Sequence, residues 1–427
     1  MRRLPRTYLA AGLTLAFAGA ALVHCSGNDD VRINPPDGGP DLGVDGLTPL
    51  CPAEQESCGA VCVDTKADPT HCGGCTTACT AQQGCVGGKC VGCEVIDLDK
   101  DGDDACTDCN DNDPMINHGA FEVPGNGKDD NCNGAVDEDT SCEGTPASDS
   151  PDALDYAHAM EMCGPFLTAQ SFATLADPRA KQVAADWGLF LPNAGKRFAA
   201  IANGVAATPT HTAPKAVVGE TPQPGTDFKK MGTLYPGPPG GMTCNGTTLL
   251  DPATVNDLTE LTVSLKVPTN ARSFAIDLDF LTSDAPEWPC SDYDDQALLL
   301  VDSASHKGNL LLDAQGRRMG VNNGLLLVTD VGSLKGTGME VLDGNNVPRG
   351  AATGWITVTA PVTAGETMTL RFIIFDSKDG IFDSQLLMDH FRWSTAAVPC
   401  SSTTSPLSDA GATCGSSDGG AADAAKD

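Results

Sequence analysis

Two short acidic loops carry the chemistry this chain can offer: Asp97-Leu98-Asp99-Lys100-Asp101-Gly102 and Asp129-Asp130-Asn131-Cys132-Asn133-Gly134. Each sets oxygen-bearing side chains at positions 1, 3 and 5 and a glycine at position 6. Side chains at that spacing converge on one hard cation, and the glycine permits the sharp turn that brings them round. In the first loop Asp97, Asp99 and Asp101 would supply side-chain oxygens. Asp103 falls at the seventh position, where a backbone carbonyl normally binds, and Asp108 at the twelfth, where a carboxylate can close the shell. Asn110, Asp111 and Asp113 follow closely enough for a second ion to share carboxylates. The later stretch offers Asp129, Asn131, Asn133 and Asp137, with Glu138 and Asp139 alongside. Hard oxygen donors with few histidines favour calcium over zinc or copper. A solvated acidic linker is the competing reading. A linker, however, needs neither a glycine at the sixth position twice over nor Cys106, Cys109 and Cys132 interleaved among its carboxylates.

A second acidic cluster lies in the segment 280–295. There Asp284, Glu287, Trp288, Asp292, Tyr293 and Asp294 share one loop between two apolar runs. The acids could bind calcium while Trp288 and Tyr293 stack on a sugar or touch a partner. Alternatively Asp279 and Glu287 could act as acid and base on a glycoside, which needs two carboxylates a few ångströms apart. In the plainest reading Trp288 packs in a core and the acids are solvated. No nucleophile elbow, zinc-protease helix, phosphate loop or dinucleotide fingerprint is present, so a non-catalytic binding role is expected.

The elements that must position these residues follow from composition and pattern. The chain has 427 residues, 19 cysteines and a formal charge of -31. That acidity excludes a nucleic-acid partner, because phosphate contacts need basic surface. Arg2, Arg3 and Arg6, then an apolar run from Tyr8 to Val23, form a signal peptide over residues 1–24. Leu22-Val23-His24-Cys25 resembles a bacterial lipobox. The resemblance implies lipidation at Cys25, membrane attachment, and a place in the cell envelope, at the outer membrane or cell surface. Thiols outside the cytoplasm pair by default. Residues 25–50 read as a solvated tether, and residues 397–427, rich in Ser, Ala, Gly and Asp, as a disordered tail.

Residues 51–93 hold nine closely spaced cysteines and almost no large apolar side chains, so bridges must hold the segment. Its Cys58-Gly59-Ala60-Val61-Cys62 and His71-Cys72-Gly73-Gly74-Cys75 stretches, followed by Cys79, Cys85 and Cys90, resemble the Stig1-like cysteine-rich repeat. Zinc held by Cys72, Cys75 and His71 is the rival. The segment 94–140 resembles the disulfide-pinned calcium loops of thrombospondin type 3 repeats. More closely, Cys106 to Pro114, Asn117 to Glu122 and Asn126 to Glu138 resemble the MopE-type metal-binding motif of bacterial surface proteins. One bridge of that motif is left to Cys93 or Cys142.

Residues 146–396 are the stretch able to bury a large core. A short helix opens it, capped by Ser150 or Asp152, with Pro151 in the first turn and Ala153, Leu154, Ala157 and Met160 at helical spacing. Period-two runs follow: Leu261 to Val267, Phe274 to Phe280, Ala297 to Asp302, Leu310 to Asp313, Leu325 to Val328, Ile356 and Val358, Leu370 to Ile374, and Leu386 to Trp393. They predict a mainly β fold, an antiparallel, jelly-roll-like β-sandwich. The Glu287-Trp288 and Tyr293-Asp294-Asp295 pieces, Val321-Asn322-Asn323-Gly324, Thr353-Gly354-Trp355 and the run Asp383 to Trp393 resemble the choice-of-anchor L family of bacterial surface domains. A surface module binding glycan or protein is the leading expectation. A structural envelope protein with no ligand beyond calcium is the second, and a glycan-active hydrolase the third.

Overall fold

Alternation of apolar and polar residues builds the strands, and cysteine pairing builds everything that precedes them. The computed structural model describes residues 51–403, with interruptions of which the longest are 212–225, 228–241, 286–290, 327–333, 343–347 and 378–382. Residues 1–50, with the expected leader, Cys25 and tether, lie outside the described residues. So do 404–427 of the expected tail, together with Cys93, Cys106, Glu287, Trp288, Asp292 and Tyr293. The described residues all belong to the compact unit Pro49–Asp427.

The cysteine-rich segment consists of two small hairpins. β1 (Glu56–Cys58) pairs with β2 (Val61–Val63), and β3 (Gln83–Val86) with β4 (Lys89–Gly92). Gly87 and Gly88 both have positive φ, the requirement of the tight turn whose twist suits a two-residue hairpin. So little apolar surface is available that Ala67, Cys72 and Cys85 are its buried hydrophobic residues. Bridges Cys51–Cys62, Cys58–Cys75, Cys72–Cys85 and Cys79–Cys90 do the work of a core. This removes the zinc alternative. Cys72 and Cys75 are each spent in a bridge, and the His71 ring sits 2.8 Å from Asp68.

The large unit opens on helix α1 (Ala153–Ala159). Asp152 is its N-cap and accepts from the Leu154 N–H at 2.9 Å. Pro151 stands just before the cap rather than in the first turn. Tyr156 takes the buried place expected of Leu154, and its hydroxyl donates to the Ser150 carbonyl at 3.0 Å. The strands that position the rest are β5 (Leu167–Thr174), β6 (Lys181–Ala184), β7 (Phe198–Ala202), β8 (Thr254–Lys266), β9 (Ser273–Thr282), β10 (Gln296–Asp302), β11 (Lys307–Asn309), β12 (Ile356–Pro361), β13 (Thr367–Ser377), β14 (Ser384–Ser394) and β15 (Ser401–Thr403). One sheet runs β11-β10-β13-β8-β5 and the other β15-β12-β9-β14-β7-β6, with every pairing antiparallel. The two face each other across one core. Leu261, Val263, Leu265, Phe372 and Ile374 come from the first sheet, and Phe274, Ile276, Leu278, Leu386 and Met388 from the second. The antiparallel β-sandwich read from the alternation is therefore present. The Leu310–Asp313 run is not a ladder strand: the chain pairs through Lys307–Asn309 instead, leaving one isolated bridge between Leu312 and Arg318.

Two contacts fix the acidic segment to this sandwich. The β8–β9 turn, Pro268-Thr269-Asn270, is more than a break between strands. Asn270 is fully buried. It accepts from the Phe121 N–H at 3.0 Å and donates to the Phe121 carbonyl at 2.9 Å. Thr269 donates its N–H to the Gly119 carbonyl and its hydroxyl to Asn117 at 2.6 Å. The approach is close enough that a Cβ on Gly119 would come within 2.7 Å of the Thr269 methyl. The second contact is covalent: Cys142 bridges to Cys163, just beyond α1. Phe372 is fully buried between the sheets. Phe372→Ala is expected to lower stability by about 3–5 kcal/mol, read as a shift in urea midpoint with an unchanged slope.

Candidate metal centre

The two acidic loops fold alike, and the reason is local. In the first, the carboxylate of Asp97 accepts from the Lys100 N–H at 2.5 Å and the Gly102 N–H at 3.1 Å. In the second, Asp129 accepts from Asn133 at 3.1 Å and Gly134 at 2.8 Å. Positions 3 and 5 then close short turns onto the amides two residues on. These are Asp99 to Asp101, Asp101 to Asp103, Asn131 to Asn133, and Asn133 to Ala135. Gly102 and Gly134 have φ of +110° and +92°, so the glycine at the sixth position is a conformational demand.

Asp97 spends both oxygens on backbone amides, whereas four other carboxylates of the first centre spend one and keep the other. Asp99 Oδ1 accepts from Asp101, Asp101 Oδ1 from Asp103, Asp108 Oδ1 from Asn110, and Asp111 Oδ1 from Leu98. The Oδ2 atoms of Asp99, Asp101, Asp108 and Asp111 are buried and accept no hydrogen bond. Asp108 and Asp111 are each only 2% exposed. Ligand atoms of Asp99, Asp101 and Asp108 lie within 4.8 Å of one another, and so do those of Asp97, Asp99 and Asp111. A buried carboxylate oxygen without a partner is costly, and several converging on one point form the donor set of a hard cation. These residues fit such a cation.

The electrostatics agree. Burial, followed by Asp101, pushes Asp99 up to about 6. Burial, then Asp101, Asp99 and Asp111, push Asp108 up to about 7. Asp111 and Glu122 are raised, also chiefly by burial.

The remaining expected ligands are placed elsewhere. Asp103 accepts from the His118 N–H at 2.9 Å and faces the His118 ring at 3.1 Å. Asp113 holds Lys128 at 3.0 Å. Asn110 contributes its N–H to Asp108. Asp137 accepts from the Asn126 and Gly127 amides, each at 3.0 Å. Asn131 and Asn133 turn their amide nitrogens to Glu138 Oε1. The second loop therefore gathers Glu122 and Glu138. Glu122 Oε1 accepts from the Asn131 N–H at 2.9 Å, and the Oε2 atoms of both glutamates are buried and unpaired. Site reasoning from the loop spacing alone passes over Glu122, because it precedes the loop. Its signal is its place at the end of the Asn117–Glu122 piece. The Cys109–Cys132 bridge staples the two halves, and the Asn117 N–H donates to the Asp130 carbonyl beside it.

Of the second acidic cluster, Asp284 and Asp294 are described, and both are buried, at 5% and 4% exposure. Asp294 accepts from the Gln296 side chain at 2.8 Å and is raised by burial. Burial, followed by the neighbouring Asp376 and Asp284, holds the Asp295 carboxyl well above the ordinary range. Asp279 is completely buried and accepts from Thr353 at 3.2 Å. Solvent and substrate cannot reach it, so the Asp279–Glu287 acid–base pair loses one of its members.

The family model Cu-binding MopE, described as "Putative metal-binding motif", matches residues 108–138. No curated protein matches the chain. Among solved structures, the carbohydrate-binding module TmCBM61, seen with β-1,4-galactotriose, is 9% identical. That likeness covers 54% of this chain and 88% of the module, at a TM-score of 0.21. Similarity that low establishes neither fold nor ligand for this chain. The chain thus carries a metal-binding motif beside a mainly β, disulfide-containing architecture.

Two outcomes follow from the geometry. Asp108→Asn is expected to abolish most of any rise in melting temperature produced by a divalent cation, whereas Asp103→Asn leaves it largely intact. Differential scanning fluorimetry of both variants reads the contrast. The pH dependence has a definite sign. With folded values raised, these carboxylates stabilise the ion-free protein below the ordinary carboxylate range and lose that contribution as pH rises to about 7. Bound cation has the opposite preference, since it needs them ionised. The gap in melting temperature between cation-loaded and chelator-treated protein is therefore expected to widen from pH 5 to pH 8.

Proposed function

We propose that this protein is an exported, calcium-binding surface module that recognises a glycan or another protein. In this reading it is lipidated at Cys25 and held in the cell envelope by that anchor. The observation that supports calcium is the set of buried, unpartnered Oδ2 atoms on Asp99, Asp101, Asp108 and Asp111, carboxylates that fall in two groups sharing Asp99, each with ligand atoms within 4.8 Å. All are hard oxygen donors. The family name points to copper. Copper(II) favours imidazole or thiolate, and here Cys109 and Cys132 are joined in a bridge while His118 faces Asp103. The donor chemistry therefore supports calcium first and copper second.

The ion's role is structural in this reading. Bound calcium would neutralise the packed carboxylates and hold the loops in one arrangement; Glu122, Glu138 and the clamp at Asn270 would carry that arrangement to the sandwich. The module is then a spacer and a binding head combined, with no reaction of its own. The envelope protein without a further ligand is the alternative.

The test is calorimetric titration of oxidised, EGTA-stripped protein with calcium, magnesium, copper(II) and zinc. The expected result is calcium uptake with a clear rise in melting temperature that EGTA reverses, and weaker response to the others. Uptake of copper alone would replace calcium. No uptake of any ion, with an unchanged melt, would overturn the reading. Cell fractionation of wild-type and Cys25→Ala protein separates anchored from released forms.

A further inference from the structure

A cleft of about 510 Å³ opens between the acidic segment and the sandwich. A β-bulge is part of what makes it. The β9–β14 register shifts beside Asp277, and His390 there takes φ +54°, far from a strand value. The Phe391 N–H leaves the ladder and donates to the Met160 carbonyl at the end of α1, at 2.9 Å. That contact sets Glu161 beside β14. Partly exposed Phe121, Phe166 and Trp393 line the cleft together with Glu161, Glu122 and Arg392.

Three features point to a ligand. Trp393 is braced edge-on by Phe391 at 4.9 Å, and Phe391 is stacked on core residue Phe274 at 5.6 Å, so the indole is a fixed platform. Glu161 holds φ +64°, a strained backbone state for a residue other than glycine. Its half-buried carboxylate accepts no hydrogen bond from any described residue. Arg392 donates to the His390 carbonyl at 2.8 Å, meets the His390 ring at 3.1 Å and lies 3.3 Å from Asp277; these contacts do not use up its five donors, and it lines the same cleft. An aromatic ring, an acceptor and a donor thus line one opening. Burial and the neighbouring Asp389 push the Glu161 carboxyl up to about 7, so at neutral pH it offers an organic cation less than a full charge. Arg392 opposes a cation as well.

We propose that this cleft binds a neutral saccharide, stacked on Trp393 and hydrogen-bonded through its hydroxyls to Glu161 and Arg392. A pyranose presents an apolar C–H face and a polar edge, which is what this lining complements, and the volume accommodates one or two sugar rings. The inference rests on the binding-module reading and names its site; it does not depend on which ion fills the acidic loops. Glu122 belongs to both the cleft wall and the second acidic pair, so cation binding and the cleft share a side chain.

The experiment is calorimetry on the oxidised, calcium-loaded full-length chain. The neutral probes are cello-, xylo-, manno-, galacto- and chito-oligosaccharides, and the cationic probes are choline and trimethyllysine. The expected result is binding of at least one neutral saccharide, weakened about tenfold or more by Trp393→Ala and by Glu161→Gln. Glu161→Gln touches no hydrogen bond among the described residues and removes a carboxylate whose ionisation burial opposes, so it is expected not to lower the melting temperature and guards against a Trp393 variant that fails to fold. Absence of saccharide binding by folded protein, binding unaltered in both variants, or binding of the cationic probes alone would each overturn the proposal. Saccharide binding by protein that takes up no calcium keeps the cleft and removes the calcium reading; calcium uptake without saccharide binding does the reverse.

Discussion

Carboxylates that share a small buried volume repel one another, and the acidic segment holds them together by dividing their oxygens. In Asp99, Asp101, Asp108 and Asp111 one oxygen is committed to a backbone amide, which fixes the side chain without neutralising it. The other is turned inward and left unpaired. Backbone N–H groups are fixed partial positive charges, so they offset only part of the cost of burying a carboxylate. The rest must be met by protonation or by a cation. The Cys109–Cys132 bridge keeps the two loop systems from relaxing apart, which is the other way repulsion could be relieved.

That constraint extends outward. Among its described residues the acidic segment buries few aliphatic side chains, Ile116 and Ala120. It borrows rigidity from the sandwich through the Asn270 side chain, which satisfies both backbone groups of Phe121, and through the Cys142–Cys163 bridge. Removing a buried amide that makes such paired bonds leaves two backbone groups without partners, so the clamp is stiff. The preceding cysteine-rich hairpins solve the same shortage of core with bridges. Only the sandwich is held mainly by apolar burial, and there both sheets are covered. Trp187, Phe198 and Leu387 pack on the outer face of one, and Leu298, Leu300 and Phe375 on the outer face of the other.

Much of this was legible in the residues. Leu261, Val263 and Leu265 and Phe274, Ile276, Leu278 and Phe280 alternate as the sheets require, and all point into the shared core. Gly102 and Gly134 sit where a left-handed turn is obligatory. Pairing of the cysteines was expected, but not which with which. The site was less legible. Asp103, Asp113 and Asp137 have the right chemistry and spacing for ligands, yet they serve His118, Lys128 and local amides. Asp111, reached from Leu98 thirteen positions earlier, stands with the first loop because the chain folds back on itself.

The sequence by itself determined what is local: the loop turns, which depend on side chains bonding amides two to five residues away; the sandwich class, which depends on a period of two; and reliance on bridges, which follows from a lack of apolar volume. Only the tertiary structure decided which carboxylate oxygens converge, that Pro268-Thr269-Asn270 is a clamp, and that a bulge at His390 brings Glu161, Arg392 and Trp393 to one opening. The last two join residues more than a hundred positions apart, and the first joins residues from separate turns of the acidic segment. Spacing along a chain specifies the bonds it can make to itself nearby, whereas distant juxtapositions are set by the packing of whole sheets and by which cysteines meet.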